Sequence, residues 1–349
     1  MKAVRLNRLG EDLVINELDI PKPKGREVLI KVKAAGVCHS DVHYKHGGWG
    51  NYSLSDLGYS LPKLPLTMGH EIAGIVDSIG ETVAGLDIGS KVAVNPWEGE
   101  GLCYYCSIGE EQMCDRPQRL GINRDGGYAE YVLVPDFRYA KVIKTLSFGE
   151  AAPLTCAGVT TYRAIRVSTL EPGQTLVIIG SGGGLGTLAI KLAKNMGITN
   201  IIGVDVRDNA IKASKDAGAN NVINALTEDP KKEIFSLTNG KGADAIIDLN
   251  NSEITLKTYS DLLSKLGKYI MVGQFGSMLN YNAVNIVRKG IEFRGIYTGN
   301  QKDFVNVIEL AENKHIKPSI SIVGNLNSVN EAIHNLEQMK VSGRQIINP

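Results

Sequence analysis

The chain has 349 residues and is almost neutral, with 38 basic and 37 acidic residues and a formal net charge of +1. This length exceeds what a single hydrophobic core usually organises, so two domains are expected. The lack of any long block of like charge argues against a nucleic-acid or anionic-membrane surface and favours a small, neutral partner.

The start of the chain and its cysteines both bear on location. The first residues, "MKAVRLNRLGEDLVINE", lack the apolar core of a signal peptide, and no apolar run approaches the ~20 residues of a membrane span. A soluble, cytoplasmic protein is therefore expected. Three of the five cysteines lie in residues 103–114 with C-x2-C-x7-C spacing, which favours a zinc site over a disulfide framework. A redox role for "CYYC" is the weaker alternative, because a third cysteine follows and no strand-to-helix pattern brackets the pair.

Residues 1–155 are rich in short alternating or β-branched runs broken by Gly and Pro. Examples are "EVLIKVKAAGV" from Glu27 and "EYVLVP" from Glu130. This pattern predicts an irregular, mostly-β domain.

From Thr175 onward, apolar runs alternate with amphipathic ones, as a parallel sheet with crossover helices requires. Six runs are predicted to be strands, the number that a full dinucleotide-binding sheet needs. They are "TLVII" (175–179), "IIGVD" (201–205), "NVIN" (221–224), "AIIDL" (245–249), "YIMVG" (269–273) and "IEFRGI" (291–296).

The helices of this region carry start and stop signals. Asp229 and Pro230 predict a cap and a first helical position, while Ser328 and Glu331 have capping-box spacing before a final strand-like "RQIIN". The helix after the first strand is predicted to stop at Gly197. Its apolar stripe consists of Leu185, Leu188, Ala189, Leu192, Ala193 and Met196.

The stretch "VIIGSGGGLG" runs from a strand through glycines into a helix, the context in which backbone amides bind a pyrophosphate. Registered on Gly186, the G-x-G-x-x-G pattern has Ser181 where its first glycine should be. The alternative is an ordinary tight turn. The candidate cofactor-binding residues of this turn are Ser181, Gly182, Gly183, Gly184, Leu185 and Gly186.

Asp205 ends the second predicted strand, where a carboxylate would accept hydrogen bonds from the adenosine ribose of NAD and repel a 2′-phosphate. NAD is therefore favoured over NADP. Arg207 could tolerate that phosphate, although a solvated surface side chain is the preferred interpretation.

The segment "GHEIAGIVDSIGETV" matches the signature G-H-E-x2-G-x5-G-x2-V of the zinc-containing medium-chain dehydrogenase/reductase family. The matching residues are Gly69, His70, Glu71, Gly74, Gly80 and Val83. Together with "GVCHSD", the cysteine-rich lobe, the glycine turn and "GRQII", the chain most resembles the archaeal tetrameric NAD-dependent alcohol dehydrogenases. The resemblance implies an α/β protein with a Rossmann doubly wound parallel six-stranded sheet and a GroES-like mostly-β catalytic domain. The expected parts are a catalytic domain (1–155), an NAD-binding domain (156–295) and a C-terminal return to the catalytic domain (296–349).

The resemblance also implies a catalytic zinc held by Cys38, His70 and Cys156, with a fourth position for water or substrate. Taken alone, these three residues could equally be buried or turn residues. Glu71 is either an alternative zinc ligand or a charged neighbour of the ligands. Asp41 would orient the ring of His70.

Further roles follow from the resemblance. Ser40 would hydrogen-bond the substrate oxygen, and His43 would take the proton by way of the nicotinamide ribose. His39 replaces a pyrophosphate-binding arginine of other members. The remaining implied cofactor contacts are Arg344 at the pyrophosphate, Thr160 at the nicotinamide, and the strand ends at 250–252 and 273–275, with Asn250 and Phe275 as candidates.

The family's cysteine-rich lobe usually carries a fourth cysteine three residues before Cys103, and here that position is Glu100. A carboxylate is a legitimate zinc ligand, so the expected structural site is Glu100, Cys103, Cys106 and Cys114. Glu98 is the competing carboxylate. Two zinc ions per subunit are therefore expected.

The predicted reaction is reversible hydride transfer from primary or secondary alcohols to NAD, giving aldehydes or ketones. Trp97 and Trp49 could line an apolar pocket, and the resemblance places Arg119 and Arg124 near a part of the chain that contacts substrate in relatives. The alternatives are a related zinc-dependent polyol, sugar or formaldehyde dehydrogenase, a non-catalytic NAD-binding protein, and a zinc-ribbon module that the near-zero charge disfavours. The resemblance implies a homo-oligomer, with a tetramer expected.

Overall fold

The structure is a computed structural model that describes residues 1–50, 52–58, 62–314 and 316–349. The chain divides into two compact units. The first unit comprises Met1–Gly48, Ser53–Val159 and Gly299–Pro349, and the second comprises Trp49–Tyr52 and Thr160–Thr298. The crossings after Val159 and Thr298 fall four and three residues after the boundaries predicted at 155 and 295, and the short segment Trp49–Tyr52 was not predicted to belong to the second unit. No helix in the described ranges is both long enough and apolar enough to cross a membrane.

The strands of the described residues are, in chain order, β1 (Lys2–Leu6), β2 (Val14–Glu17), β3 (Val28–Val37), β4 (Gly48–Trp49), β5 (Tyr52–Ser53), β6 (Leu66–Thr67), β7 (Glu71–Ile79), β8 (Lys91–Val94), β9 (Trp97–Glu98), β10 (Gln118–Arg119), β11 (Tyr131–Val134), β12 (Ala140–Val142), β13 (Thr175–Ile179), β14 (Asn200–Asp205), β15 (Asn221–Asn224), β16 (Ala243–Asp248), β17 (Leu263–Met271), β18 (Glu292–Gly295), β19 (Ile320–Gly324) and β20 (Arg344–Ile347).

The helices are α1 (His39–His46), α2 (Tyr104–Ser107), α3 (Phe148–Ala151), α4 (Ala157–Ser168), α5 (Gly184–Asn195), α6 (Asp208–Ala217), α7 (Pro230–Leu237), α8 (Glu253–Tyr259), α9 (Ala283–Lys289), α10 (Gln301–Lys314) and α11 (Val329–Glu337). Short 3-10 helices cover Glu111–Met113, Phe137–Tyr139, Ala152–Thr155, Ser260–Leu262 and Leu326–Ser328.

A seven-stranded sheet organises the first unit, in the order β12-β8-β7-β3-β20-β19 with β11 also on β3. The β-branched run predicted from Glu27 forms β3, which is buried along most of its length. Strand β3 pairs antiparallel with β7 at Gly36 and Glu71, and with β20 at Val37 and Gln345. The end of β3 and the starts of β7 and β20 therefore meet at one corner of the sheet.

The second unit contains a six-stranded sheet in the order β15-β14-β13-β16-β17-β18, with every neighbouring pair parallel. The predicted parallel six-stranded sheet is confirmed, and the runs at 175–179 and 221–224 match β13 and β15 residue for residue. Apolar side chains from these strands and their crossover helices form one buried core, including Val177, Ile246 and Tyr269.

Two of the three predicted helix signals are present. Helix α5 ends before Gly197, which has φ +92°, and the Asp229 side chain accepts hydrogen bonds from the amides of Lys231 and Lys232 at the start of α7. The capping box predicted for Ser328 is wrong. Ser328 is the last residue of a 3-10 turn that leads directly into α11, and its side chain makes no capping hydrogen bond.

Candidate active site

Two groups of metal-ligand side chains occur among the described residues. Within each group, one ligand atom per residue lies within 4.8 Å of all the others. One group is fully buried and the other is partly exposed. They are Cys38, His70, Glu71 and Cys156, and Glu100, Cys103, Cys106 and Cys114.

The corner of the seven-stranded sheet assembles the buried group from separate parts of the chain. Cys38 follows β3, His70 precedes β7, and Cys156 follows the 3-10 helix Ala152–Thr155. Antiparallel pairing of β3 and β7 makes the first two neighbours. Two separate constraints, the backbone angle and the space available, require a glycine before His70. Gly69 has φ +89°, and a Cβ there would lie 2.6 Å from the ring of Tyr128.

Asp41 is the centre of a buried hydrogen-bond network around these ligands. Its Oδ1 lies 3.1 Å from His70 Nδ1, and its Oδ2 accepts hydrogen bonds from the Cys38 amide at 2.9 Å and the Tyr128 hydroxyl at 2.7 Å. This contact leaves His70 Nε2 for the ligand group, where it is buried without an aligned hydrogen-bond partner in the described residues. A nitrogen in that position beside two thiols fits a zinc ion.

The surroundings of the group favour the thiolate form of Cys38 and oppose that of Cys156, because the hydrogen bond to Cys38 and burial raise the pKa of Cys156 well above its usual value. The hydrogen bond from Cys156, together with the positive charge of Arg344, outweighs burial and holds the pKa of Cys38 well below its usual value. Burial opposes a charged His70, but the adjacent Asp41 carboxylate prevails and raises the pKa of that imidazole well above its usual value. Metal binding must then displace a proton from the ring.

Glu71 and Arg344 form a buried ion pair beside the ligands. Arg344 Nη2 lies 2.8 Å from Glu71 Oε1, although the two groups are not aligned as a hydrogen bond. Burial raises the pKa of Glu71 to about 8 despite the nearby arginine. The arginine that the family resemblance assigns to the pyrophosphate thus contacts a carboxylate, and only 4% of it is exposed.

Helix α1 carries His39, Ser40 and His43, all half-buried. The two imidazole rings lie 5.3 Å apart between centroids. Burial, reinforced by the charge of His39, lowers the pKa of His43 to about 4. His43 is therefore neutral near pH 7.

The two tryptophans have different surroundings. The ring of Trp97 lies 5.6 Å from that of His70, and its Nε1 donates a hydrogen bond to the carbonyl of Thr155 at 3.3 Å. Trp49 belongs to the second unit, where its carbonyl packs against Gly276 and only 6% of the residue is exposed.

The two arginines singled out in the sequence, Arg119 and Arg124, donate hydrogen bonds to residues close to them in the chain. Arg119 Nη2 donates to the carbonyl of Gln112 at 3.1 Å, and Arg124 Nη1 donates to Gln118 Oε1 at 2.7 Å.

The partly exposed group has the dimensions of a tetrahedral zinc site. Cys103 Sγ lies 3.6 Å from Cys106 Sγ and 3.8 Å from Cys114 Sγ, and zinc–sulfur bonds of ~2.3 Å imply sulfur separations of about 3.8 Å. Glu100 Oε1 accepts the Cys103 amide at 2.7 Å. Glu98 is not a member of the group. It lies in β9 opposite Gln118, where burial raises its pKa to about 8.

The glycine-rich turn leads into α5 as predicted. A Cβ on Gly182 would lie 2.2 Å from the carbonyl of Ala210, and one on Gly186 would lie 2.3 Å from that of Gly180, so both positions require glycine. Gly183, by contrast, has room for a Cβ: the carbonyl of Gly180, at 3.6 Å, is the nearest described atom outside its own neighbours in the chain and helix. The first amides of α5 have no intrahelical partners, as in any helix. The turn therefore has the open backbone and positive helix end that fit a pyrophosphate.

Ser181 does not present its hydroxyl to this open side. Its Oγ lies 2.7 Å from Ser214 Oγ and is buried between β14 and α6. A Cβ on Gly203 would be 2.8 Å from the same atom, so Gly203 makes room for the serine. The sequence pattern marked Ser181 as a departure but did not indicate this compensation.

Asp205 is buried at the end of β14. Its Oδ2 accepts the amide of Gly182 at 3.0 Å and its Oδ1 accepts the amide of Val206 at 2.8 Å. Each carboxylate oxygen retains acceptor capacity for a ribose hydroxyl. Arg207, half-buried, is the residue before α6.

A second buried aspartate, missed by sequence analysis, organises the turn after β16. Asp248 Oδ1 accepts the amides of Asn250 and Asn251 at 2.9 Å, and its Oδ2 accepts the Tyr269 hydroxyl at 2.7 Å. Asn251 has φ +53°, and its Nδ2 donates to the carbonyl of Gly273 at 2.7 Å. The only available signal was a carboxylate at the end of an apolar strand.

The other two predicted cofactor contacts also lie in the second unit. Thr160 is buried in α4, and the Phe275 carbonyl packs against Gly50.

Comparison with known proteins gives matches over the whole chain. Residues 24–144 match the alcohol dehydrogenase GroES-like domain, and residues 184–313 match the zinc-binding dehydrogenase domain. The NAD-dependent alcohol dehydrogenases of Sulfurisphaera tokodaii and Saccharolobus solfataricus are 55% and 54% identical, with 100% of each chain covered. The crystal structure of the alcohol dehydrogenase from Aeropyrum pernix matches with a TM-score of 0.91 at 33% identity, again over 100% of both chains. The chain therefore belongs to the zinc-binding dehydrogenase family, among the alcohol dehydrogenases.

Proposed function

We propose that the protein catalyses reversible oxidation of primary or secondary alcohols to aldehydes or ketones with NAD. The observation that carries the proposal is the buried group of two thiols and one imidazole whose Nε2 has no aligned partner in the described residues. The names of the two archaeal relatives, both NAD-dependent alcohol dehydrogenases, support the same reaction.

Cys38, His70 and Cys156 would hold the catalytic zinc. When bound, zinc polarises the alcohol oxygen and lowers the pKa of its hydroxyl, while NAD accepts the hydride. Two thiolates balance the charge of the dication, and Asp41 orients the imidazole. Glu71 is better suited to be a partner of Arg344 than a ligand, because Arg344 Nη2 lies 2.8 Å from its carboxyl group.

Ser40 and His43 would remove the alcohol proton. They are three residues apart on α1, so both side chains lie on one face of the helix. The Ser40 hydroxyl can accept a proton while donating its own, and the neutral His43 can take the proton onward.

NAD would bind with its pyrophosphate at the turn from Ser181 to Gly186 and its adenosine ribose at Asp205. The remaining proposed contacts are His39, Thr160, Arg207, Asn250, Phe275 and Arg344. Trp49 and Trp97 are proposed as walls of the substrate pocket. We further propose a second, structural zinc at residues 100–114, hence two zinc ions per subunit, in a cytoplasmic homotetramer.

The test is a zinc determination combined with a substrate panel. We expect two zinc ions per chain and NAD reduction with benzyl and aliphatic alcohols. A Cys38→Ser variant provides the matched inactive control. Turnover confined to sorbitol, glucose or formaldehyde would identify the related dehydrogenase instead, and no NAD reduction by fully zinc-loaded protein would contradict the proposal.

A further inference from the structure

The last turn of helix α1 carries a buried lysine outside the candidate active site. Only 4% of the Lys45 side chain is exposed. Its Nζ lies 3.0 Å from Asp12 Oδ1, 3.3 Å from Glu337 Oε1 and 3.5 Å from His334 Nε2. A buried ammonium group is tolerated only when charged partners surround it, and here it has two carboxylates.

These partners come from distant parts of the first unit. Asp12 lies between β1 and β2, while His334 and Glu337 are on α11. A reciprocal pair of hydrogen bonds, both 2.9 Å, joins Leu13 to the Asn330 side chain beside them. Lys45 thus connects α1 to the segment between β1 and β2 and to α11, which are themselves joined by the hydrogen bonds between Leu13 and Asn330.

Two histidines complete the network. His46 Nε2 lies 2.9 Å from Glu337 Oε1, and His334 Nε2 lies 2.8 Å from Asp12 Oδ1. The hydrogen bond from Lys45 is the main cause of the lowered pKa of Asp12. Both carboxylates are thus shared between the lysine and a histidine, and loss of Lys45 would leave them with imidazole partners only.

Helix α1 depends on such contacts for its position. It has eight residues, too few for a stable helix in isolation. Asp41 ties its first turn to Cys38 and His70, and Gly47 (φ +72°) closes its last turn by donating to the carbonyl of His43. Lys45 is the buried charged contact at that second end.

We propose that Lys45 is a positioning residue for the proton-removal step. Its contacts with Asp12 and Glu337 fix the last turn of α1 and so the placement of His43 relative to Ser40. This inference rests on the proposed role of His43. A shift of the helix end would leave the zinc ligands in place, because Asp41 holds the other end.

The experiment compares Lys45→Met with Lys45→Arg, and uses Lys141→Met as the matched control. Lys141 forms a 2.8 Å ion pair with Glu309 in the same unit but away from α1. At a temperature where circular dichroism shows each variant folded, Lys45→Met should lower kcat about tenfold, since small displacements of a catalytic group have effects of this order or larger. KM and zinc content should stay at the wild-type values. Lys45→Arg should recover most of the loss, and Lys141→Met should behave as wild type.

The proposal is overturned if folded Lys45→Met retains wild-type kcat, if its loss follows zinc loss, or if Lys141→Met loses as much. Should Lys45→Met not fold, Asp12→Asn weakens the same contact at a half-exposed carboxylate and must lower kcat in the same direction. A His43→Ala variant tests the proposed role of His43 separately from that of Lys45. Wild-type kcat in His43→Ala would remove the proposed role of His43 itself, whereas a strong loss there with an unaffected Lys45→Met would sink only the inference about Lys45.

Discussion

The two ligand groups are built from the same kinds of side chain but are held in different ways. The partly exposed group comes from one continuous segment, residues 100–114, and its ligands make backbone contacts such as the Cys103 amide on Glu100. The buried group comes from three separated segments, and its ligands are fixed by the Asp41 network. The difference shows that the partly exposed group depends on contacts within one short segment, while the buried group depends on the pairing of β3 with β7 and on the Asp41 network.

The largest expected effect is loss of activity when the buried group loses a thiol. Cys156→Ala should remove one zinc ion and lower kcat/KM by about 10³-fold or more, because polarisation of the alcohol oxygen disappears. The structural zinc and most of the thermal stability should remain. Metal analysis and NAD reduction check this, and wild-type turnover with one zinc lost would contradict the assignment.

The converse change should affect stability more than chemistry. Glu100→Ala should lose one zinc ion, and a destabilisation of about 3 kcal/mol would lower the unfolding midpoint by roughly 6 to 12 °C. Activity measured well below that temperature should be retained. Glu98→Gln is the control and should keep both ions. Unchanged zinc stoichiometry in Glu100→Ala would refute the proposed fourth ligand.

The role of the Asp41 network predicts a smaller effect confined to the buried group. Asp41→Asn should weaken zinc binding at that site about 10- to 100-fold, since an amide can neither balance nor orient the imidazole as a carboxylate does. Tyr128→Phe removes one of its three contacts and should have a weaker effect. Competition with a chelator measures the zinc affinity of both variants. Equal weakening of zinc binding at residues 100–114 would contradict the prediction that the effect is confined to the buried group.

Acid sensitivity gives the smallest effect, at a carboxylate outside both groups. Burial opposes ionisation of Asp136, but hydrogen bonds from Arg138 and Arg26 lower its pKa below the unfolded value. Its stabilising contribution is therefore present above about pH 4 and is lost as the pH falls through the folded pKa. Asp136→Asn should lower the unfolding midpoint at pH 7, and the difference in midpoint between the variant and the wild type should become smaller in acid. A difference that became larger in acid would contradict a lowered pKa for Asp136.

Local patterns predicted much of the second unit. The run "NVIN" is β15 without error, whereas "YIMVG" marked only the end of β17, because Ser264 and Lys265 interrupt the apolar pattern of the strand's first half. The capping box at Ser328 failed because its spacing does not reveal the preceding 3-10 turn. Residue spacing predicts local structure reliably when the residues that contact one another are also close along the chain.

The same distinction applies to the ligands. The C-x2-C-x7-C spacing predicted a zinc site at the three cysteines of residues 103–114, since a metal ion can bind residues that are already close along the chain. The fourth ligand, Glu100, came from the family resemblance. Nothing local joins Cys38 to His70, Cys156 or Tyr128, and only the family resemblance brought the first three together in advance. Sheet pairing brings Cys38 next to His70 and places Glu71 near Arg344. The burial of Lys45 depends instead on its contacts with Asp12 and Glu337. Local spacing was sufficient to locate the strand runs, the glycine turn and the segment with three cysteines, because each of these signals lies within a short stretch of the chain. The buried site and its charges required the folded chain, since their strength depends on exclusion of water and on partners that are distant in sequence.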